Sequence, residues 1–527
     1  MDVLVLFDGE HLLRNDRFYI WISERKDLTT KKQNLGMADI LITNGNVVTM
    51  DSNRRVIENG AIAIENELII DVGESEEIEA SHKADVVIDA EGHAVIPGLI
   101  NTHTHVADIL FRGGGQTDRA LYDWLFNVTK PGRAEMNAEE HAIASALYCS
   151  EAIESGITTF VENAIGGGSG YSDDIIKSKL EVYSNAGMRN IYCQSFIDET
   201  MESHLGSFVR LYQDAAPDIK RGGGGLDDTE ESIKNIENLI QKWNGSAEGR
   251  QGIWPGPLSP RCTTTEGLQA CYALAEEYDV MTTTHVSETF HEELAMGGGH
   301  FTMTEYMNVI GCLGERSLFG HCCHLNESDI RLMQQTDARV AHNVISNLML
   351  GSGVAPIPTM LNYGVTVGIG TDNTSCSDTV NMINDMRYVA SLHKGVHADS
   401  TIMTPEKALE MATIDGARAI GLEKEIGSIE VGKKADIVLI NMNYTHFQPI
   451  RNVVSAIVYQ AQGFEVDTVI CNGKIIMKGR NVEGISSNYP DLYKQSADAS
   501  EAVIKRTGLE KMVRGNRPWK SVGHVNR

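Results

Sequence analysis

His103 and His105 are separated by a single residue in LINTHTH. On an extended strand, residues two apart project to the same face, so both imidazoles can meet one ion. His285 in TTTHVSE and Asp372 in GIGTD complete a set of three ring nitrogens and one carboxylate. That donor set suits one divalent ion per subunit, Zn or Fe(II), with a position left open for water. An HxH pair taken alone is more often structural; here it gains weight from its partners at other strand ends. Glu288 lies three residues after His285 and is placed to shuttle a proton. His321 in LFGHCCHL can orient or electrostatically support the attacking water. Asp372 can both touch the metal and accept a proton from that water. The chemistry implied is hydrolysis by an activated water with an acid/base pair. The competing reading makes Glu288 and His321 ordinary satisfied polar residues, and it weakens once both fall at strand ends.

These residues must be delivered by a regular scaffold. From Ile100 onward, strand-like runs alternate with helix-like ones. The strands are LINTHTH, GITTFVEN, RNIYCQSF, GIWPGPLSP, VMTTTHVSE, SLFGHCCHL, ARVAHN and VTVGIGTDN, with AEEHAIASALYCSEAIESG and TEGLQACYALAEEY among the intervening helices. Strands separated by helices imply parallel pairing, and eight such units close a barrel whose site lies at the C-terminal strand ends. Before and after this region the texture is β-rich, and Asn44-Gly45 reads as a tight turn between two strands. The expected fold is therefore α/β: a (β/α)8 TIM barrel (98–413) inserted in a small β-sandwich built from both chain ends (38–97 and 414–482). An N-terminal extension (1–37) and a C-terminal helical tail (483–527) flank it, with Met37 a natural alternative start. Glycine runs at 166–168, 222–225 and 297–299 read as loops near the barrel mouth. None has the strand–GxxxxGK–helix context of a phosphate-binding loop.

Composition narrows the class. The net charge is 45 − 72 = −27, which argues against nucleic-acid coating and against an anionic membrane surface. No run of eighteen apolar residues exists, and the apolar start of the chain is broken by acids, unlike a signal peptide. Nine scattered cysteines form no even disulfide framework, so a reducing cytoplasm is expected.

The segments HTH, TTTHVSE, HCCHL, VAHN and GIGTDN, in this order, resemble the amidohydrolase superfamily, in its cytosine- and adenosine-deaminase-like branch. The resemblance covers residues 38 to about 482. LFRGGGQTDRALYDWLFNVTKPG, YCSEAIESGITTFVEN, VAPIPTMLNYGVTVGIGTDN, DTVNMINDMR and MTPEKALEMATIDGAR are closer still to the s-triazine hydrolases of the atrazine chlorohydrolase and melamine deaminase type. The resemblance implies a mononuclear Zn or Fe(II) site on His103, His105, His285 and Asp372, with Glu288 as the acid/base and His321 as the assisting histidine. It also implies a homo-oligomer and a small N-heterocyclic substrate. Binuclear relatives carry a bridging Lys at the end of strand four, whereas GIWPGPLSP has none, which favours one metal and ring deamination.

The leaving group is less sharply written. Asn373 resembles the chlorohydrolase type, while Cys376 and Leu121 resemble the deaminase type. Asp108 stands where the family pattern has Gln, and Ser195 where a larger Met would be, which suggests a roomier or more polar pocket. Trp124 can stack on a flat ring or serve as a core aromatic. Glu162 can hydrogen-bond an exocyclic amine or orient a ligating histidine. Asn343, Ser346 and Asn347 are expected to shape the loop after strand seven, and Cys322 and Cys323 to be core. The expected activity is deamination of an amino-substituted, s-triazine-like ring. The alternatives are hydrolytic dechlorination, deamination of methylthioadenosine or S-adenosylhomocysteine, and a non-catalytic scaffold on the same fold.

Overall fold

The computed structural model describes residues 36–113, 119–165, 172–200, 226–293, 299–485 and 488–513. Residues 1–35 of the expected N-terminal extension, the glycine runs at 166–168 and 222–225, and most of the run at 297–299 lie outside the described residues, and positions 36 and 37 belong to the strand Gly36–Val48.

All eight expected strands form, and they pair in parallel. Leu99–His105, Ile157–Ala164, Arg189–Gln194 and Gln251–Pro255 run side by side in one sheet. Thr282–Val286, Ser317–His321, Arg339–His342 and Val367–Ile369 run side by side in a second. The two sheets adjoin at both ends: Gln251–Pro255 packs on Thr282–Val286, and Val367–Ile369 on Leu99–His105. Helices fill the crossovers, and their starts are written locally. Ala138–Glu154 opens on a capping box in which Asn137 accepts from Glu140 N and Glu140 accepts from the Asn137 backbone. Thr264 caps Thr265–Glu277.

Strand eight departs from expectation. It ends at Ile369, and Asp372–Asn373 forms a separate short strand paired with Thr104 and His105 of the first strand. The link is held by first-strand side chains. Asn101 donates to Thr371 Oγ1 (2.8 Å) and accepts from Thr371 N (3.0 Å), while Thr104 Oγ1 donates to the Asp372 carbonyl (2.9 Å). Gly370 is required here, since a Cβ would stand 2.3 Å from Asn343 Oδ1 and 2.8 Å from His103 Cβ.

Both ends of the chain contribute to one further sheet of nine strands, in which Ile437–Asn441 lies antiparallel to His93–Pro97. Alternation along Gly36–Val48 sends Ile40 and Ile42 into a cluster with Ile437, Leu439 and Ile470, and Leu41 into another with Ala61, Ala63 and Ile78. Asn44-Gly45 does not make a turn. It lies within the single strand Gly36–Val48, where the register with Val56–Glu65 shifts on either side of Gly45. Asn44 takes a positive φ of 61°, its N–H donates to Ser75 Oγ (2.8 Å), and a Cβ on Gly45 would meet Val95 Cγ2 at 2.6 Å. The left-handed preference of Asn and the missing Cβ of Gly serve a bulge here rather than a hairpin. Helices Tyr489–Thr507 and Glu510–Val513 follow this sheet.

Candidate active site

The C-terminal ends of the parallel strands bring His103, His105, His285, His321 and Asp372 together, all of them buried. His103 and His105 lie on the same face of the first strand, as alternation requires. Asp372 Oδ1 is 3.4 Å from Nε2 of both. Nδ1 of His105 donates to the Asn163 carbonyl and Nδ1 of His285 to the Leu258 carbonyl, each at 2.7 Å. Their Nε2 atoms therefore carry lone pairs, and they face one another at 3.2 Å. Nε2 of His103 has no hydrogen-bond partner. Asn163 Nδ2 lies 2.9 Å from His103 Nδ1; only with this amide flipped, so that its oxygen accepts from Nδ1–H, is His103 Nε2 a third inward lone pair.

Electrostatics agree with a cation site. Burial, reinforced by neighbouring rings, pushes His105 down to about 3 and His285 well below the usual imidazole value, while burial outweighs Asp372 in lowering His103. All three rings are held neutral at physiological pH, the form in which an imidazole can ligate a metal. Against burial, the facing His103, His321 and His105 rings hold Asp372 well below the usual carboxylate range, so it is ionised. Three lone pairs and a carboxylate oxygen converging in a buried space fit one divalent cation. Backbone carbonyls fix the orientation of the His105 and His285 rings, and Ser346 Oγ donates to Asp372 Oδ2.

Glu288 and His321 stand beside this cluster. Glu288 Oε1 is 3.8 Å from His321 Nδ1. Burial, with Glu292 and Asp372 adding and His321 and Arg261 opposing, raises the Glu288 carboxyl to about 7. His321 is raised despite its burial, by the Glu288 and Asp372 carboxylates and by Asn347 Oδ1, which lies 2.8 Å from its Nδ1. Ser287, His321 and Asp372 all take positive φ (52°, 72° and 57°). Such conformations cost non-glycine residues on the order of 1–3 kcal/mol each and cluster where side chains must be aimed.

The other expected substrate contacts divide. Asp108 and Asn373 come together: Asn373 Nδ2 donates to Asp108 Oδ2, which also accepts from Arg133 Nη1 (2.8 Å). Asp108 Oδ1 is buried without a partner, and burial raises this carboxyl in spite of Arg133. The Asn373 amide oxygen is already engaged by Ser375 N (2.9 Å) and Ser375 Oγ (2.8 Å). Trp124 is 5% exposed, belongs to the main core, and donates from Nε1 to Ser375 Oγ (3.2 Å), so it braces the segment after Asp372. Cys376 is fully buried, its thiol is pushed well up by burial, and Sγ–H points to the Asn373 carbonyl (3.1 Å).

Two expectations need correction. Glu162 faces the helix layer, where Lys179 Nζ donates to Oε1 and Tyr183 OH to Oε2 (2.7 Å). Glu162 pairs in register with Thr104, whereas the inward histidines flank Thr104, so alternation turns Glu162 outward and its neighbour Asn163 inward. Ser195 donates to the Ala164 carbonyl (2.9 Å) and lines a separate cavity of about 310 Å³ between helices Asp173–Asn185 and Thr229–Trp243, which shares no lining residue with the histidine cluster. Ser346 and Asn347, expected only to shape a loop, touch Asp372 and His321.

Sequence reasoning missed Asn163, Arg133, Arg261 and Glu292. The register of the second strand against HTH could have pointed to Asn163. The other three are brought in by loops and helices distant in sequence.

Residues 94–476 match the amidohydrolase family. An S-triazine hydrolase of Gordonia rubripertincta is 31% identical over 499 residues, covering 92% of this chain and 100% of the relative. A 5-methylthioadenosine/S-adenosylhomocysteine deaminase of Caldanaerobacter subterraneus is 34% identical over 448 residues, covering 85% and 95%. Among solved structures, a zinc-bound adenosine deaminase from Xanthomonas campestris superposes with a TM-score of 0.78 at 25% identity, covering 89% of this chain and 100% of that one.

Proposed function

Because the chain belongs to the amidohydrolase family, and so is a hydrolase of C–N bonds in heterocycles, we propose that it removes an amino group from an amino-substituted N-heteroaromatic ring of s-triazine type. The observation that carries this reading is the convergence of three imidazole nitrogens and the Asp372 carboxylate beside the buried Glu288–His321 pair.

His103, His105, His285 and Asp372 are the residues that would hold the metal. A divalent ion there supplies Lewis acidity that makes water a competent nucleophile near neutral pH. Asp372, ionised and steadied by Ser346, accepts the proton released as the water oxygen bonds to the ring carbon. Glu288, poised near pH 7, gives a proton to the ring nitrogen beside that carbon and so limits the build-up of negative charge. His321 stabilises the attacking oxygen. Collapse breaks the C–N bond, the amine leaves with the proton first taken from water, the ring nitrogen returns its proton to Glu288, and the ring keeps the hydroxyl. Atoms balance as water plus aminoarene giving hydroxyarene plus ammonia. Asp108 Oδ1 is an unmet buried acceptor, suited to an N–H of the substrate, with Asn373 and Arg133 fixing it.

This reading takes the two parallel sheets as one closed (β/α)8 barrel over 98–413. It takes the nine-stranded sheet as a two-layer β-sandwich over 38–97 and 414–482, with 1–37 and 483–527 as appendages. The shared cluster of Ile42 with Ile437 and Ile470 supports the two layers. Nine free, buried cysteines support a cytoplasmic setting. No described helix is long and apolar enough to cross a membrane.

A second reading, deamination of a thioadenosine-type nucleoside, is supported by the 34% identical relative. Hydrolytic dechlorination is the third, resting on Asn373. One assay separates them: Zn- or Fe(II)-loaded protein with melamine, ammeline, atrazine and methylthioadenosine, recording ammonia and chloride. Ammonia from the triazines supports the first reading, ammonia from methylthioadenosine alone the second, and chloride the third. Release of neither from any of them overturns all three.

A further inference from the structure

A buried ion pair lies beside Glu288 that belongs neither to the histidine cluster nor to the acceptor at Asp108. Arg261 and Glu292 are 3% and 0% exposed. Arg261 Nη1 donates to Glu292 Oε1, and the other oxygen, Oε2, accepts the backbone N–H of Glu288 at 2.9 Å. Tyr122 OH also donates to Oε1 (3.3 Å), and the Arg261 guanidinium lies over the Tyr122 ring, 5.6 Å from its centroid. Of the other guanidinium nitrogens, Nη2 stops 3.9 Å from Glu288 Oε2. That is close enough for the charge to be felt and too far for a hydrogen bond.

A guanidinium next to a carboxyl that must gain and lose a proton is a hazard. A direct charge-assisted pair favours the ionised carboxylate and resists its protonation. In a dry interior the attraction is strong, so something must hold the arginine back. Glu292 does this with both oxygens: one engages Arg261, and the other pins the Glu288 backbone.

We propose that Glu292 is a positioning residue that holds Arg261 off the Glu288 side chain, leaving Glu288 free to take up and release a proton. The inference rests on the reading of Glu288 as the proton carrier. It differs from a purely structural role in one consequence. If Glu292 serves only to satisfy Arg261, Glu292→Gln costs stability and leaves kcat per folded, metal-loaded molecule unchanged. If it restrains Arg261, removing the arginine as well relieves the damage.

The test is a double-mutant cycle on the metal-loaded full chain, with Glu288→Gln as reference. Glu292→Gln keeps an oxygen for the Glu288 N–H but lacks the charge that competes for Arg261. Its kcat is expected to fall about 100-fold, with KM and bound metal unchanged. Glu292→Gln/Arg261→Gln is expected to recover at least about tenfold of that loss. A double variant no faster than the single one, or an unchanged kcat in Glu292→Gln, overturns the proposal. If Glu292→Gln does not fold, the double variant, which removes both buried charges together, decides alone: kcat within about tenfold of wild type supports the proposal, and a loss beyond about 1000-fold overturns it. Full turnover in Glu288→Gln overturns the catalytic reading and the proposal with it. Inactive Glu288→Gln beside unimpaired Glu292→Gln overturns the proposal alone.

Discussion

The Glu288 carboxyl lies 3.8 Å from Nδ1 of His321, and both side chains are closed off from solvent. This contact couples a carboxyl raised to about 7 with an imidazole raised by the same carboxyl. Glu288→Gln removes the titrating group while keeping the shape. It is expected to retain metal and to lose about 10²- to 10⁴-fold in kcat. Steady-state rates with parallel metal analysis check this, and a variant as fast as wild type sinks the assigned role.

The facing Nε2 atoms of His105 and His285 at 3.2 Å lead to a second expectation. His285→Ala removes one lone pair of the set. Bound Zn or Fe should drop to trace in elemental analysis after gentle purification, and turnover should vanish with it. For the wild type, chelation should lower Tm and metal return should restore it, because a ligand at about 100 times its Kd adds about 2.7 kcal/mol to the folded state.

Asp108 shares Oδ2 with Arg133 and Asn373. Arg133→Ala leaves a buried carboxyl without its cation and should cost about 3–5 kcal/mol of stability. Asp108→Asn should cost less, and its signature should be catalytic. KM for an amino-bearing ring should rise more than KM for the same ring lacking that N–H donor, because only the former loses an acceptor. Equal changes for both rings would remove Asp108 from the substrate contacts.

Glu162 and Lys179 give the contrary case. Both are buried and paired with each other, and Tyr183 completes the carboxylate. Lys179→Met should destabilise the protein by about 3–5 kcal/mol, since it strands a buried charge. Activity per folded, metal-loaded molecule should stay unchanged. A specific loss of kcat at full folding would return Glu162 to the reaction.

Acid sensitivity should come from histidines buried in the neutral state. Burial lowers His393 to about 4 and His342 well below its ordinary value. Below about pH 6.5 the unfolded chain takes up protons that these two folded histidines refuse, so their contribution to stability falls as pH drops from 6.5 toward 4 and is flat above. His393 should account for about 1 kcal/mol of the loss between pH 7.5 and 5.5. Unfolding followed at both pH values in wild type and His393→Gln measures it, and identical losses would contradict it.

Residue type and spacing alone proposed the donor set. His103 and His105 share a face because strand alternation is local, and His285, His321 and Asp372 end runs whose strand character is written in neighbouring residues. The alternation of strands and helices likewise announced parallel sheets before any contact was known. What the sequence left open was each polar group's partner. Glu162 and Asn163 are adjacent, and only the register against HTH decides that the first meets Lys179 while the second meets the histidines. Asn44-Gly45 has the residues of a turn, and only the packing of Val95 and Ser75 makes it a bulge. Arg261, Glu292 and Tyr122 come from three separate segments, so no spacing rule joins them. Periodicity is a property of a few consecutive residues, whereas the pairing of a buried charge is settled by whichever opposite charge the assembled fold places within reach.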